Sequence, residues 1–382
     1  MTGNTLGWVI VAFVLYLLMM IAIGAFYAKG NNNSEDYFLG GRKLNGFVAA
    51  LSAQASDMSG WLLMGLPGAI YLTGVGGDGW IAIGLFIGTT LNWLFIATKL
   101  RRYTIRANNS VTLPTYFENR FHDEKKVLMT VSSITIVVFF LVYCASALSA
   151  GGQLFESVFG IDYHVALTIG ALVVLVYTFL GGFTAVCVTD FIQGMLMLVG
   201  ILAVPLFAYH FLTTGGTTLS AGLEASGADS ANFLNLMKNG DGSNNIVSVI
   251  SGLGWGLGYF GMPHILVRFM AVRDEKEMTK SKATAISWVA LSLGFAVFIG
   301  ILGRAYLPEL VNGNNEKVFI EMIKKVFTVE MRAPFIAGLF LCGILAAIMS
   351  TADSQLLVSA SSVAEDIFKG LLKKDADDKT VM

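Results

Sequence analysis

Long apolar stretches separated by short polar segments set the rhythm of this chain. A helix that spans a bilayer needs about 20 mainly apolar residues. Eight stretches qualify: 5–28, 47–73, 79–98, 127–155, 163–181, 184–212, 246–270 and 283–307. A ninth runs from about 333 to 368, long enough to cross and continue as a polar-faced extension. The pattern predicts an all-α polytopic membrane protein in a single transmembrane domain. The polar segments add a direction. With the N-terminus outside, the inward-facing segments hold nineteen Lys and Arg, Arg268 and Lys374 among them, and the outward-facing ones five. Basic residues favour the cytoplasmic side, so this N-out orientation is the expected one. Of the outer segments, 213–245 is rich in Gly, Ser, Thr and Asn and is expected to be flexible. Residues 308–332 carry a helical pattern (VFIEMIKKVF) expected to lie on the membrane surface. On the inner side, Leu113-Pro114 starts a short helix.

Composition agrees with the pattern. The 382 residues are 55% hydrophobic and 13% charged, against about 25% charged in soluble domains. The net charge of −1 gives no basic surface for nucleic acid, and no obligate protein partner is evident. Cys144, Cys187 and Cys342 all fall in apolar spans and read as small core residues rather than a disulfide framework. The first stretch lacks a basic lead-in and a cleavage site, so it reads as a retained helix.

Against this background a few polar residues stand out. Asp57, in AALSAQASDMSGWLLMGLPGAIYL, is the only charge between Lys43 and Asp78. A carboxylate at the centre of a membrane helix costs about 2.5–3.5 kcal/mol on insertion scales. Either a cation offsets that cost, or neighbouring serines and backbone hydrogen-bond the group. The segment from Gly252 to His264 holds five glycines within ten residues and Pro263, so it is either an interrupted helix beside a ligand or a close helix crossing. Trp255 and Tyr259, one helical turn apart, would share a face suited to cover a ligand. In LAAIMSTAD, Ser350 and Thr351 can offer oxygen to a hard cation or bond back to the preceding turn. Asp353, one turn further in, is a second functional carboxylate on a cation pathway or lies in an inner vestibule. Asp190 serves cation passage on the cytoplasmic side, or snorkels or caps at the interface. Tyr143, mid-span, is packing or a hydroxyl in search of a partner. The four histidines, His122, His164, His210 and His264, have no metal spacing, and no Ser/His/Asp or Cys/His set appears. An enzyme is not expected.

The block SEDYFLGGRKLNGFVAALSAQASDMSGWLLMGLPGAIYLTG, with GWGLGYFGMPHILVRFMA, YTFLGGFTAV and LAAIMST, strongly resembles the sodium:solute symporter family. The resemblance runs almost end to end. It implies a LeuT-like inverted-repeat (5+5) fold: 5–28 as an extra N-terminal helix, 47–212 as the first repeat and 246–369 as a partial second repeat. Family members continue with about four more spans, so the expectation is a C-terminally truncated chain lacking the last core helices. The resemblance further implies a co-transported sodium ion held by carbonyls of Ala55, Met58 and Ala347 and hydroxyls of Ser350 and Thr351. Asp57 and Ser59 match residues tied to sodium and substrate coupling, and Asp190 matches a carboxylate linked to sodium dependence. The substrate site maps to Ser59, Trp61, Gly65, Tyr143, Trp255, Tyr259 and Pro263. The implied activity is secondary active, sodium-coupled symport in a bacterial inner membrane. L-proline is the expected solute, favoured by Tyr143, Trp255, Tyr259 and Pro263. The alternatives are pantothenate, a sugar or a carboxylate, or a transporter-like sensor module.

Overall fold

The computed structural model describes residues 3–373 and 375–381; Lys374, counted above with the inner basic residues, lies outside them. Almost every described element is helical. α1 (Asn4–Tyr27) is the first apolar crossing and α2 (Ser34–Leu39), capped by Asn33, a short inner helix. α3 (Gly46–Met58) and α4 (Gly65–Thr73) divide the second apolar stretch. α5 (Val75–Leu91) passes through a π-helical turn into α6 (Ala97–Arg106). α7 (Leu113–Phe121), with Pro114 in its first turn as expected, leads to α8 (Val127–Phe159) and α9 (Tyr163–Thr214). Two short helices follow, α10 (Leu219–Ala225) and α11 (Ser230–Phe233). Then come α12 (Ile246–Gly254), a 3₁₀ stretch over Trp255–Gly261, and α13 (Pro263–Ala271). α14 (Glu275–Tyr306), α15 (Val318–Lys324) and α16 (Pro334–Ser361) complete the bundle, α16 continuing as π-helix through Ser362–Leu372.

Six of these helices are long and apolar enough to cross a membrane, seven with the bent pair α12 and α13. The sequence pattern predicts nine. The difference is one of continuity. At 1.5 Å per residue α9 would run about 78 Å, far beyond the roughly 30 Å hydrocarbon core. Gly182, at φ 59° and ψ −160°, breaks it where 163–181 meets 184–212. A Cβ at Gly182 would also stand 2.9 Å from the Tyr37 carbonyl, so the turn requires glycine. α3 and α4 each fall short of a crossing because the stretch 47–73 breaks between them. Taken as one broken crossing, with α9 as two, they restore the nine.

α16 sits at the centre. Its apolar window is 83% buried, against 22% for α8, and it packs on α1, α3, α8 and α9. The connecting segments gather at two ends, as their alternation requires. At one end Arg42 donates to Asn109 Oδ1 and to the Ser110 and Met270 carbonyls, Arg101 to the Val272 carbonyl, and Lys126 to the Gly370 carbonyl. At the other, Asn245 donates to the Gly76 carbonyl, Arg304 to Ser226 and Asn315 to the Gly68 carbonyl.

Three expectations change. Arg268 is not a loop charge; it is fully buried in the bundle. Segment 213–245 is not loop throughout: it carries α10 and α11, capped by Thr218 and Asp229. The VFIEMIKKVF helix does not lie on the surface: Val318, Phe319, Ile320, Met322, Ile323, Val326 and Phe327 are all buried. Glu321, Lys324 and Lys325 fall together on one side of this helix, and its apolar side packs on α4, α9, α14 and α16 rather than on lipid.

Candidate functional site

Two broken helices frame one cavity. α3 ends at Met58 because Ser59 takes φ 52° and ψ −173°, a conformation that costs a non-glycine residue of order 1–3 kcal/mol. The Ser59 hydroxyl offsets part of this by accepting from the Trp61 amide at 3.1 Å. A 3₁₀ turn over Gly60–Leu62 then leads to α4. Further along the chain, the 3₁₀ stretch after α12 ends at Met262 and Pro263 restarts the helix, bent by 48°. Between the breaks lies a cavity of about 100 Å³ lined by Asp57, Met58, Ser59, Trp61, Leu85, Tyr143, Trp255, Gly258, Tyr259 and Met262. The Trp61 and Trp255 rings stack across it, centroids 6.1 Å apart and 16° from parallel, one from each broken helix.

Asp57 is buried in this cavity wall, beside the Tyr259 hydroxyl. Its Oδ2 has no hydrogen-bond partner among the described residues, so the serine-satisfied alternative fails for that atom. Tyr143, half-buried, lines the same cavity with its hydroxyl toward Ser59. Asn92 fixes the unwound segment by donating to the Tyr259 carbonyl at 2.9 Å. Two expected substrate residues stand apart from the cavity. Gly65 starts α4 and leaves room for the Trp61 ring, which a Cβ there would meet at 2.5 Å. Pro263 faces a smaller cavity of about 20 Å³, lined also by Arg268, Thr112, Pro114 and Ser361, toward the basic end.

The glycines of α12 and the 3₁₀ stretch after it do both things considered for them. Gly252 and Gly256 cross α5 so closely that a Cβ on Gly84 would lie 2.2 Å from the Gly252 carbonyl oxygen, and one on Gly256 2.2 Å from that of Gly84. The unwound stretch begins on the same segment. Trp255 and Tyr259 do not share a helical face there, since 3₁₀ geometry replaces the α turn: Trp255 is half exposed and Tyr259 buried.

A second polar cluster joins α3 to α16. Ser350 donates to the Ala55 carbonyl at 2.8 Å, and Thr351 donates to that of Ala347 at 3.1 Å. Because Ser59 leaves the helix and its amide makes no capping bond, the Ala55 carbonyl lacks its usual donor and is free for α16. Ala55, Ala347, Ser350 and Thr351 are thus neighbours. Asp57, two residues on, faces the cavity with the aromatic residues instead. Met58 lines that cavity too.

Deeper toward the basic end, Asp190 and Asp353 belong to one fully buried network. Arg268 donates to Asp190 Oδ2 and Ser52 Oγ, both at 3.0 Å, to the His264 carbonyl at 2.6 Å and to Ser354. Ser52 donates to Asp190 at 2.7 Å, and Tyr177 to Asp353 at 2.6 Å. Asp190 therefore neither snorkels nor caps, and Asp353 lies in no open vestibule; both are 0% exposed. Arg268, Ser52, Ser354 and Tyr177 are additions to the predicted set. Arg268 had the same signal as Asp57, a lone charge in an apolar run (HILVRFMA), but it stood near a loop.

The sodium:solute symporter family matches residues 37–382, and this chain belongs to it. The members are transporters rather than enzymes. Among its relatives, the chain is 44% identical over 379 residues to the sodium/proline symporter of Salmonella typhimurium, covering 98% of this chain and 73% of that protein. It is 44% identical over 365 residues to a high-affinity proline transporter of Bacillus subtilis, covering 95% and 74%. The substrate-bound outward-open structure of a Na+-coupled sialic acid symporter aligns with a TM-score of 0.82 at 21% identity, over 98% of this chain and 77% of that one. At that identity the likeness carries the fold, which is LeuT-like as expected.

Proposed function

We propose that this multi-pass membrane protein is a secondary active transporter coupling inward sodium movement to L-proline uptake across a bacterial inner membrane. Its N-terminus faces outside and the basic end faces the cytoplasm. The observation that carries the reading is the pair of broken helices, α3/α4 and α12/α13, that close their aromatic residues over one small cavity. Broken helices in corresponding positions of two repeats are the usual marker of a transporter's substrate site. On this reading 5–28 precedes the repeats, 47–212 is the first and 246–369 belongs to the second.

Proline lies in the cavity between Trp61, Tyr143, Trp255 and Tyr259, its ring against the indoles, with Ser59 and Asp57 as polar neighbours. Sodium binds between α3 and α16, on the carbonyls of Ala55, Met58 and Ala347 and the hydroxyls of Ser350 and Thr351. Asp57 attracts the ion and ties it to the substrate side. Gly65 and Pro263 act by shaping the two breaks rather than by touching proline. Asp190 and Asp353 belong to the sodium's route toward the basic end. The ion drives uptake because it binds the proline-competent state better. One charge crossing 100 mV adds about 2.3 kcal/mol to the sodium gradient.

The test is uptake of labelled L-proline into proteoliposomes under an inward sodium gradient. Asp57→Asn is expected to raise severely the sodium concentration needed for half-maximal uptake. Uptake that runs equally well on a potassium gradient, or that pantothenate, a sugar or a carboxylate outcompetes, overturns the assignment.

A further inference from the structure

We propose a binding site for an anionic phospholipid on the outer face of the bundle, independent of the transport site. A groove of about 750 Å³ runs between α3, the second half of α9 and α14. Phe47 and Val48 of α3 form one wall and Phe191, Met195 and Leu198 of α9 the other. Its floor is Trp288, fixed by an indole N–H donated to the Gly194 carbonyl at 3.1 Å. Phe47, Met195 and Leu291 are all about half exposed; on a membrane-spanning helix that surface meets acyl chains.

The groove has a basic foot. Its α14 lining (Ala283, Thr284, Ser287, Leu291) continues, at helical spacing of three and four, to Lys280 and then Lys276. Lys280 stands beside the α3 N-terminus, close to Gly46. Lys276 makes no ion pair among the described residues. Lys280 contacts Glu277 at 2.8 Å, but that carboxylate already accepts the Gly46 amide at 2.6 Å and is shared with Arg273. The corner therefore keeps cationic character. From Lys280 to Leu291 the stripe is about 16 Å long at 1.5 Å per residue, close to half of the roughly 30 Å hydrocarbon core. That is one leaflet. A single acyl chain fits from foot to midplane, with a phosphate at Lys280 and Lys276 and the polar Asn45, Thr284 and Ser287 at the end nearest the foot. Basic pockets between membrane helices recognise such headgroups, each lysine contributing about fivefold in binding.

The test is lipid retention by the purified protein, exchanged into mixed phosphatidylglycerol and phosphatidylcholine and read by native mass spectrometry. The wild type is expected to retain phosphatidylglycerol preferentially. Lys276→Gln with Lys280→Gln should cut that preference about thirtyfold, whereas Lys280→Arg keeps it. Ser287→Phe, which fills the groove and leaves both charges, should lose the lipid while thermal unfolding in phosphatidylcholine stays as in the wild type. Equal retention of the two lipids by the wild type, or full retention of phosphatidylglycerol by Ser287→Phe, overturns the proposal.

Discussion

Replacing Arg268 with methionine removes the one cation from the buried network and keeps a side chain of similar length. Asp190 then loses a 3.0 Å ion pair, Ser52 and Ser354 lose their guanidinium donor, and the His264 carbonyl loses its 2.6 Å contact. Removing one partner of a buried ion pair costs about 3–5 kcal/mol, because the other charge is left uncompensated. Unfolding entropy of about 2.1 cal/mol/K per residue, over 382 residues, turns that into a fall in Tm of about 4–6 °C. Asp190→Leu alone should cost less, since Asp353 lies in the same network and can take up the freed guanidinium. The double variant, with neither charge, should recover most of the loss. The assay is thermal unfolding of the four proteins, wild type, both singles and the double, in one detergent. A double-mutant cycle isolates the pair's coupling. If the two losses simply add, or if Arg268→Met melts with the wild type, then the pair is not the charge-balancing contact argued here.

Other consequences follow from the two ends of the cavity. Ser350→Ala should raise the sodium concentration for half-maximal proline uptake roughly tenfold, as expected for losing one contact to a charged group, with uptake recovering at high sodium; an unmoved sodium dependence removes Ser350 from the ligand set. Trp255→Ala, which ends the stacked indole pair, should raise the half-saturating proline concentration about two- to thirteenfold, matching 0.5–1.5 kcal/mol for an aromatic pair; a change in expression alone would mean packing. Gly84→Ala forces a methyl to 2.2 Å from the Gly252 oxygen and should lower the Tm by an overpacking cost of about 1–3 kcal/mol. Gly254→Ala, with open space around it, should leave the Tm unchanged, and equal effects of the two would refute the crossing.

The legible part of this protein was what a bilayer imposes. Apolar length alone located the helices long enough to cross, because a membrane helix must satisfy its own backbone over a fixed thickness. What hydropathy could not register was continuity: the break at Ser59 depends on two dihedral angles, and Ser59 is as permissible in a helix as Ser52 or Ser56. The same limit explains Arg268. Residue composition makes a charge near a loop look solvated, and only the packing of α13 on α3 carries it inward to Asp190. The short helix α15 was misplaced because nothing in its sequence shows that the bundle leaves room for it. The cavity residues were legible in a different way, through long family motifs. The added members, Leu85, Gly258 and Met262, are apolar or bare, and such residues carry no chemical signal of their own.

The end of α3 offers a physical route for coupling. Its last turn presents a carbonyl to α16 at Ala55 and a carboxylate to the aromatic cavity at Asp57, about 200° further round the helix. Both depend on Ser59, whose φ of 52° frees the Ala55 carbonyl and aims the chain toward Trp61. The Ser350 hydroxyl spends its proton on Ala55. On the proposed reading both oxygens ligate one sodium ion, so the proton that lies between them must turn aside to make room for it, the hydroxyl keeping its lone pairs for the ion. The contact between α3 and α16 is then no longer a hydrogen bond of about 1 kcal/mol but an ion bridging several oxygens. A bridge of that kind holds the last turn of α3 in one position, and with it the Asp57 carboxyl beside Tyr259. Sodium affinity and proline affinity are linked, on this argument, because one turn of one helix supplies an oxygen to each site.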